Sequence, residues 1–179
     1  MSLSAKDIIE FTLVYNRYKT KLYNFVLKMV SDKMICEDIV QVVFEKFFEN
    51  WNIINNKQSA GFWLFKTARN EIYMHFRKLK VRKESWGTDD TKIVQLKSED
   101  SVSENYELKE MRQYIFELIQ NLPPEQKEVY LLKEYGGLSY AEISSILGIK
   151  EELVKSRLYK TRQKLIAWLG EKYLSKVSN

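Results

Sequence analysis

The sequence predicts an all-α protein with two small helical domains joined by a flexible acidic linker, the second domain being a helix-turn-helix. The 179 residues include only 2 prolines and 6 glycines, so few residues interrupt helices. Apolar residues recur every three or four positions through most of the chain, as on one side of an amphipathic helix. The predicted domains are residues 1–83 and 108–179, with the linker at residues 84–107.

Charge is distributed unevenly along the chain, although the net charge is only +5. Nearly every charge over residues 66–83 is positive, the sign reverses over 84–110, and the chain is basic again after residue 150. Two basic blocks separated by an acidic connector indicate two nucleic-acid-binding surfaces and a connecting segment that avoids phosphate.

Four helical segments are expected before residue 84. Ser31 and Asp32 separate the first two, because both residue types end helices and cap the next one. The first helix has an apolar face formed by Phe11, Tyr15, Tyr18, Leu22, Phe25 and Met29. The second, at about 34–50, has a wide apolar side formed by Cys36, Ile39, Val40, Val43, Phe47 and Trp51.

A loop is expected at residues 51–60, which are rich in Asn and Gln. The helix that follows, at 59–82, can also be divided at its start into two helices. Its predicted packing face consists of Phe65, Ala68, Ile72, Phe76 and Leu79.

The C-terminal half contains two helices before the helix-turn-helix. One is expected at residues 108–121, with the apolar residues Leu108, Met111, Ile115, Leu118 and Ile119. Pro123 and Pro124 open the other, since proline is tolerated in a first helical turn, and it ends near Gly136 and Gly137.

Residues 138–165 have the layout of a DNA-reading helix-turn-helix. Ser139 and Glu142 form a capping box, and Gly148 stands where the chain must turn with a positive φ. The first helix is predicted to bury Ala141, Ile143, Ile146 and Leu147. In the second helix, Lys155, Arg157, Lys160, Arg162 and Lys164 alternate with Val154, Leu158, Leu165 and Leu169. One side therefore packs and the other offers cations to DNA; the alternative is a basic helix that merely completes a bundle.

The helix at 34–50 carries a candidate protein-docking face. Asp38, Gln41 and Glu45 fall on one side, with Phe44 and Phe48 expected to be exposed beside them. Exposed aromatic residues dominate the energy of many interfaces, so this stripe suits a partner protein. The alternative is an ordinary solvated face.

A second stripe lies on the helix at 59–82, beside its packing face. Cations, an amide and aromatic rings suit DNA strands that are being opened, because they bind phosphates, read base edges and stack on bases. The alternative is a solvated basic face with the two aromatic side chains half-buried. The stripe comprises Trp63, Lys66, Asn70, Tyr73, Arg77 and Lys80.

Enzymatic, metal-binding and membrane-spanning roles are not expected. Cys36 and His75 are the only cysteine and histidine, too few for a metal cluster, and no phosphate-binding glycine loop is present. Cys36 is predicted to be a buried apolar residue, and His75 a packed or solvated helical side chain. The sequence shows no signal peptide or long apolar run, so we expect a cytoplasmic protein without cofactors or membrane insertion.

Four motifs resemble those of the extracytoplasmic function (ECF) group of bacterial sigma factors, within the sigma-70 family. Residues 36–44 resemble the family's E-D-x-x-Q-x-x-F helix, and residues 62–70 resemble its W-L-aromatic-x-x-A-R-N segment. Residues 122–126 resemble the start of its C-terminal domain, and residues 136–143 with 154–157 resemble its helix-turn-helix. Each motif is loose alone, but four in this order and spacing are specific.

For the N-terminal domain, the resemblance implies docking on RNA polymerase and opening of promoter DNA. The domain would bind the clamp coiled coil of the β′ subunit through Asp38, Gln41, Phe44 and Glu45. The helix carrying the basic stripe would recognise and melt the −10 element. A base flipped out of the duplex would be captured by the loop residues Asn52, Asn55, Asn56, Lys57 and Gln58.

For the C-terminal domain, the resemblance implies reading of the −35 element in the major groove and contact with the β-subunit flap. The linker would thread toward the polymerase channel, and an anti-sigma factor is a further candidate partner. The −35 element would be read by Lys150, Lys155, Ser156, Arg157, Lys160 and Arg162.

The sequence departs from the family pattern just before Val154. Lys150, Glu152 and Leu153 stand where Ser-x-Gly-Thr is common, and lysine cannot accept hydrogen bonds as an N-cap. Acidic residues here favour the helix dipole but disfavour nearby phosphates, so the −35 sequence that is read stays open.

Two alternatives differ from the sigma-factor interpretation. A stand-alone helix-turn-helix regulator would need neither the basic stripe nor a polymerase-docking face. A helical protein-interaction module would have no role on DNA, and its binding would lack the steep salt dependence of phosphate contacts.

Overall fold

The computed structural model describes residues 4–54, 59–86 and 106–177, which form helices and short connections, with no strand in these ranges. The chain divides into two compact units, residues 1–96 and 97–179. Unit 1 contains α1 (Ala5–Val30), α2 (Lys33–Glu49) and α3 (Ala60–Trp86). Unit 2 contains α4 (Tyr106–Gln120), α5 (Pro124–Glu134), α6 (Tyr140–Leu147) and α7 (Glu151–Val177). The predicted all-α class is confirmed.

In unit 1, three helices pack against one another around an aromatic core. The corner between α1 and α2 forms as predicted: Ser31 has a left-handed conformation (φ 57°), and Asp32 caps α2 by accepting from the Ile35 N–H. Helices α1 and α3 approach closely at Gly61, where an added Cβ would lie 2.9 Å from the Tyr18 hydroxyl. The largest fully buried side chains of this unit are Leu22, Phe25, Phe47, Trp51, Leu64, Phe65 and Ile72.

Helix α3 differs from the prediction in three respects. It is one continuous helix, so unit 1 has three helices over its described residues rather than four. It also continues to Trp86, beyond the predicted helix end at residue 82. Phe76 and Leu79 were predicted to pack, but they are 37% and 39% exposed. Burial stops at Ile72 because the second half of α3 extends beyond the core formed with α1 and α2.

Unit 2 contains the predicted helix-turn-helix. Pro124 occupies the first turn of α5, the Ser139–Glu142 capping box opens α6, and Gly148 ends it with φ 66°. In the first turn of α7, the Lys150 carbonyl oxygen accepts hydrogen bonds from the backbone N–H groups of Leu153 and Val154. This turn therefore forms although the Lys150 side chain cannot accept a hydrogen bond. The predicted packing of α6 and α7 is confirmed for Ile143, Ile146, Val154, Leu158 and Leu165.

Four positions in α6 and α7 were assigned wrongly or missed, and one of them is Leu169 on α7, which is only partly buried. Ala141 is exposed and Leu147 only partly buried, because α6 is eight residues long and turns only Ile143 and Ile146 fully inward. Thr161, a polar residue, is fully buried instead, and its hydroxyl donates to the Arg157 carbonyl oxygen at 2.8 Å. No helix within the described ranges has both the length and the apolar character needed to cross a membrane.

Candidate nucleic-acid and protein interfaces

A groove of about 550 Å³ runs between α1 and α2 in unit 1. Two of the predicted docking residues, Gln41 and Glu45, lie at its edge, and the Gln41 side-chain amide donates to the Glu45 carboxylate at 2.7 Å. Asp38 is exposed one turn earlier on the same helix. The groove is lined by Phe11, Tyr15, Tyr23, Glu37, Val40, Gln41, Phe44, Glu45 and Phe48.

The floor of this groove is aromatic, and this corrects the expectation that Phe44 is exposed. Phe44 is only 6% exposed, and its ring centroid lies 4.7 Å from that of Tyr15 on α1. Phe48 is 44% exposed and packs edge-on against Phe11 at 5.0 Å. Phe44 turns inward because its neighbours on α2, Val43 and Phe47, form the buried side of that helix.

Trp51 anchors the start of the predicted base-capturing loop. It is 1% exposed, and its indole N–H donates to the Asp7 carboxylate at 3.0 Å. Asp7 also closes the capping box of α1, so one carboxylate links the start of α1 to Trp51, two residues beyond the end of α2. Asn52 follows and is exposed. The other predicted loop residues, Asn55, Asn56, Lys57 and Gln58, lie outside the described residues.

The basic stripe on α3 forms an exposed surface, except at its start. Trp63 is half-buried, with its ring 5.3 Å from that of Phe47. Tyr73 is 37% exposed, and the Arg69 guanidinium lies 4.6 Å from the centre of its ring. The remaining stripe residues Lys66, Asn70, Arg77 and Lys80 are exposed.

Cys36 is buried, as predicted, and His75 is partly packed on α3. The buried Cys36 thiol donates to the Tyr23 carbonyl oxygen at 3.4 Å, and burial raises its pKa to about 12. His75 is half-buried beside Phe76, and burial lowers the pKa of its imidazole. Within the described ranges, no three His, Cys, Asp or Glu side chains are grouped so that they could hold a metal ion.

In unit 2, α7 and the residue before it present several of the predicted DNA-binding residues to solvent. Lys155, Ser156 and Lys160 on α7 are exposed, and so is Lys150 just before its first residue. Lys155 lies beside Tyr140 at the start of α6, with its ammonium 5.7 Å from the ring centre. The sequence did not indicate this arrangement, since it depends on how α6 and α7 pack.

The two arginines among the predicted DNA-binding residues form ion pairs with glutamates of α5. Arg157 forms an ion pair with Glu125 in the first turn of α5. Arg162 pairs with Glu134, the last residue of α5, at 2.6 Å, and this hydrogen bond raises the pKa of its guanidinium. Sequence spacing could not find these pairs, because their members are 32 and 28 residues apart.

The sequence matches two protein families and is similar to known bacterial sigma factors. The family described as Sigma-70 region 2 matches residues 14–82, and Sigma-70, region 4 matches residues 112–165. The ECF RNA polymerase sigma factor SigM of Bacillus subtilis is 31% identical over 157 residues, which are 86% of this chain and 91% of that protein. RNA polymerase sigma factor SigZ of the same organism is 28% identical, covering 85% and 82% of the two chains.

Two solved structures have the same fold. The sigma factor RpoE of Bartonella quintana, in complex with the anti-sigma factor NepR, matches with a TM-score of 0.75 and 23% identity over 93% of this chain and 98% of that one. CnrH in complex with the cytosolic domain of CnrY matches with a TM-score of 0.62 and 19% identity over 90% and 88%. With both sigma-70 regions present in order, and a relative matched over nearly its whole length, the chain belongs to the ECF sigma factors, which direct RNA polymerase to specific promoters to initiate transcription.

Proposed function

We propose that core RNA polymerase docks in the groove between α1 and α2, through the clamp coiled coil of its β′ subunit. The observation that carries this proposal is the combination of an aromatic floor with polar and acidic groups at the rim. Phe44 and Phe48 offer apolar surface, while Gln41 and Glu45 stand beside it and Asp38 one turn away. Such a groove suits a helix that inserts apolar side chains and pairs its cations with the carboxylates.

Binding to purified core polymerase tests this face. The wild-type chain should co-elute with core polymerase in a stoichiometric complex on gel filtration. Asp38→Arg with Gln41→Ala should weaken that affinity ~10-fold or more, since a like charge at an interface is costly. Glu49→Arg is the matched control, because Glu49 is an exposed carboxylate on α2 that does not line the groove. Equal affinities for the two variants would show that the docking face lies elsewhere.

The basic stripe on α3 is the proposed surface for recognising and melting the −10 element. The support is an exposed row of cations and one amide, Lys66, Asn70, Arg77 and Lys80, alongside the partly exposed Tyr73. Cations bind the strands as they separate, and an aromatic ring stacks on an unpaired base. Trp63, half-buried, borders this surface, and the loop residues Asn52, Asn55, Asn56, Lys57 and Gln58 are proposed to capture a flipped base.

Permanganate reactivity of unpaired thymines tests the melting role. Tyr73→Ala should reduce strand opening while polymerase still forms the closed complex, because stacking is available only to separated strands. Met74→Ala is the matched control, an exposed residue (41%) on the same helix outside the stripe. Normal thymine reactivity in the Tyr73→Ala complex would remove this residue from melting.

The outer face of α7 is the proposed reader of the −35 element. Lys155, Ser156 and Lys160 are exposed on the second helix of a helix-turn-helix, the helix that enters the major groove, and Lys150 is exposed just before it. Lys155→Ala should weaken promoter binding by the polymerase complex and leave polymerase affinity unchanged. A parallel loss of both affinities would argue against separate surfaces. Contact between unit 2 and the β flap is part of the same proposal.

The remaining assignments follow from these surfaces. Residues 1–83 and 108–179 are proposed to act as the −10 and −35 domains, with residues 84–107 as their linker. The chain is proposed to supply no catalytic group, since polymerase performs the chemistry, and to act in the cytoplasm with that enzyme. An anti-sigma factor is proposed as a regulatory partner, because the structurally similar RpoE of Bartonella quintana is in complex with the anti-sigma factor NepR.

A further inference from the structure

Arg157 and Arg162 lie on opposite flanks of the buried side of α7. That side consists of Val154, Leu158, Thr161 and Leu165. At about 100° per residue, each arginine lies roughly 70° from the centre of this side, one in each direction. Ser156 and Lys160 project from the opposite, outer face. The two arginines therefore border the contact between α7 and the rest of unit 2.

Both flanking arginines are tied to the same neighbouring helix. Glu125 in the first turn of α5 holds Arg157, and Glu134 at the last position of α5 holds Arg162. The Arg157 side chain is only 19% exposed, whereas its partner Glu125 is 71% exposed. The Arg157 side chain is thus the more buried member of its pair, whereas the Arg162 and Glu134 side chains are 47% and 37% exposed.

We propose that Arg157 and Arg162 are positioning residues that fix the rotation of α7 on α5 through Glu125 and Glu134. Two ion pairs on opposite sides of one helix oppose rotation in both directions, which a single pair cannot do. Promoter DNA is then contacted by cations of the outer face, among them Lys160, and not by the two arginines. This inference rests on the proposed function of α7 in reading the −35 element.

An exchange of charges separates positioning from direct DNA contact. Arg157→Glu alone should weaken promoter binding by the polymerase complex ~10-fold, because two carboxylates would then face each other. Adding Glu125→Arg should restore affinity to within ~3-fold of wild type, since the ion pair reforms with its members exchanged. The same restoration is expected for Arg162→Glu with Glu134→Arg. As a control, Lys160→Glu with Glu125→Arg should stay weak, because Lys160 is not a partner of Glu125.

The salt dependence of promoter binding gives a second readout. Loss of one phosphate contact lowers the log–log slope by ~0.9, which is expected for Lys160→Ala. The exchanged pairs should keep the wild-type slope, because no phosphate contact is lost. Failure of both exchanges to restore binding, together with a reduced slope, would overturn the inference and make the arginines DNA ligands.

Neutral variants of the carboxylates test the same point without reversing any charge. If the arginines bind DNA, Glu125→Gln and Glu134→Gln remove a competitor and should strengthen binding. If they position α7, these variants should lower the ratio of promoter to unrelated-DNA affinity ~3-fold, as the helix becomes less firmly oriented. Glu171→Gln is the matched control, because it removes the same charge at an exposed site of α7. Stronger promoter binding by the two Gln variants alone would contradict the inference.

The polymerase complex also distinguishes failure of the inference from failure of the proposed function. One outcome would be that promoter affinity and its salt dependence stay unchanged in Lys160→Ala, Lys155→Ala and the arginine variants. In that case α7 does not read DNA, and both the proposed function of α7 and the positioning inference are wrong. A normal effect of the lysine variants with failed charge exchange would overturn only the positioning role.

Discussion

Lys127 is a partly buried cation at the start of α5. Its ammonium donates to the Gln120 side-chain oxygen at the end of α4, and burial lowers its pKa to about 8. In the unfolded chain the ordinary value near 10.5 applies. Below pH 8 the ammonium is therefore charged in both states, and folding carries the cost of removing it from water.

We expect Lys127→Met to stabilise unit 2 by about 1 kcal/mol at pH 7, because it keeps the apolar stem and removes the buried charge. Between about pH 8 and 10.5 the unfolded chain binds the proton that the folded one has released, so wild-type stability rises with pH. The advantage of the variant should therefore shrink over this range. Urea unfolding at several pH values measures it, with the exposed Lys160→Met as control. A pH-independent difference would contradict this account.

Trp51 combines burial with a charged hydrogen-bond partner. Trp51→Phe should destabilise unit 1 by about 2 kcal/mol, because it leaves a void and deprives the Asp7 carboxylate of a donor. Trp63→Phe is the control, since Trp63 is only half-buried and should cost less than about 1 kcal/mol. Thermal unfolding of the two variants compares them. Equal losses would mean that the Asp7 hydrogen bond contributes nothing measurable.

At the level of helices, alanine substitution of two glycines in unit 2 should change the free energy of unfolding in opposite directions. Gly148 has φ +66° with no neighbour within 4 Å of an added Cβ, so Gly148→Ala should cost about 1 kcal/mol through backbone strain alone. Gly170 lies inside α7 with equally open space, so Gly170→Ala should stabilise by about 0.5–1 kcal/mol. Chemical denaturation measures both, and a shared sign would refute the conformational explanation.

Helix boundaries were predictable wherever local chemistry sets them. Asp32, the Ser139–Glu142 capping box and Gly148 act within one turn of chain, so sequence spacing was enough to place them. The extent of packing was not predictable in the same way. Phe76 and Leu79 continue the apolar period of α3 but are exposed. Where burial along α3 ends depends on how far α1 and α2 extend beside it, which the period of α3 alone does not reveal.

At the scale of the whole molecule, the order of helices and the all-α class were predictable from periodicity and the scarcity of proline and glycine. The candidate docking groove was only half predictable. The polar residues of α2 were found, but Phe11, Tyr15 and Tyr23 come from α1. Likewise, the carboxylate partners of Arg157 and Arg162 lie on another helix, and charge pattern along one helix cannot reveal them.

Two compact units with separate proposed partners predict independent effects of mutation. Asp38→Arg should lower polymerase affinity, and Lys160→Ala should lower promoter affinity of the complex. Because the two residues belong to different units, their free-energy effects on run-off transcription at limiting polymerase should add within about 0.5 kcal/mol. A double variant that departs from additivity by more than this would show that the two surfaces communicate.

The buried thiol of Cys36 has a practical consequence for such measurements. It is the only cysteine of the chain, and its raised pKa keeps it protonated at neutral pH, so alkylating reagents have almost no thiolate to attack. A single cysteine introduced on the surface, for example by Glu49→Cys, should therefore take a maleimide fluorophore alone, with the native thiol left in place. Mass spectrometry would show one label per chain under native conditions and two after unfolding. Burial thus protects the native thiol from the label. Site-specific fluorescence labelling of this chain in the polymerase complex therefore does not require replacement of Cys36.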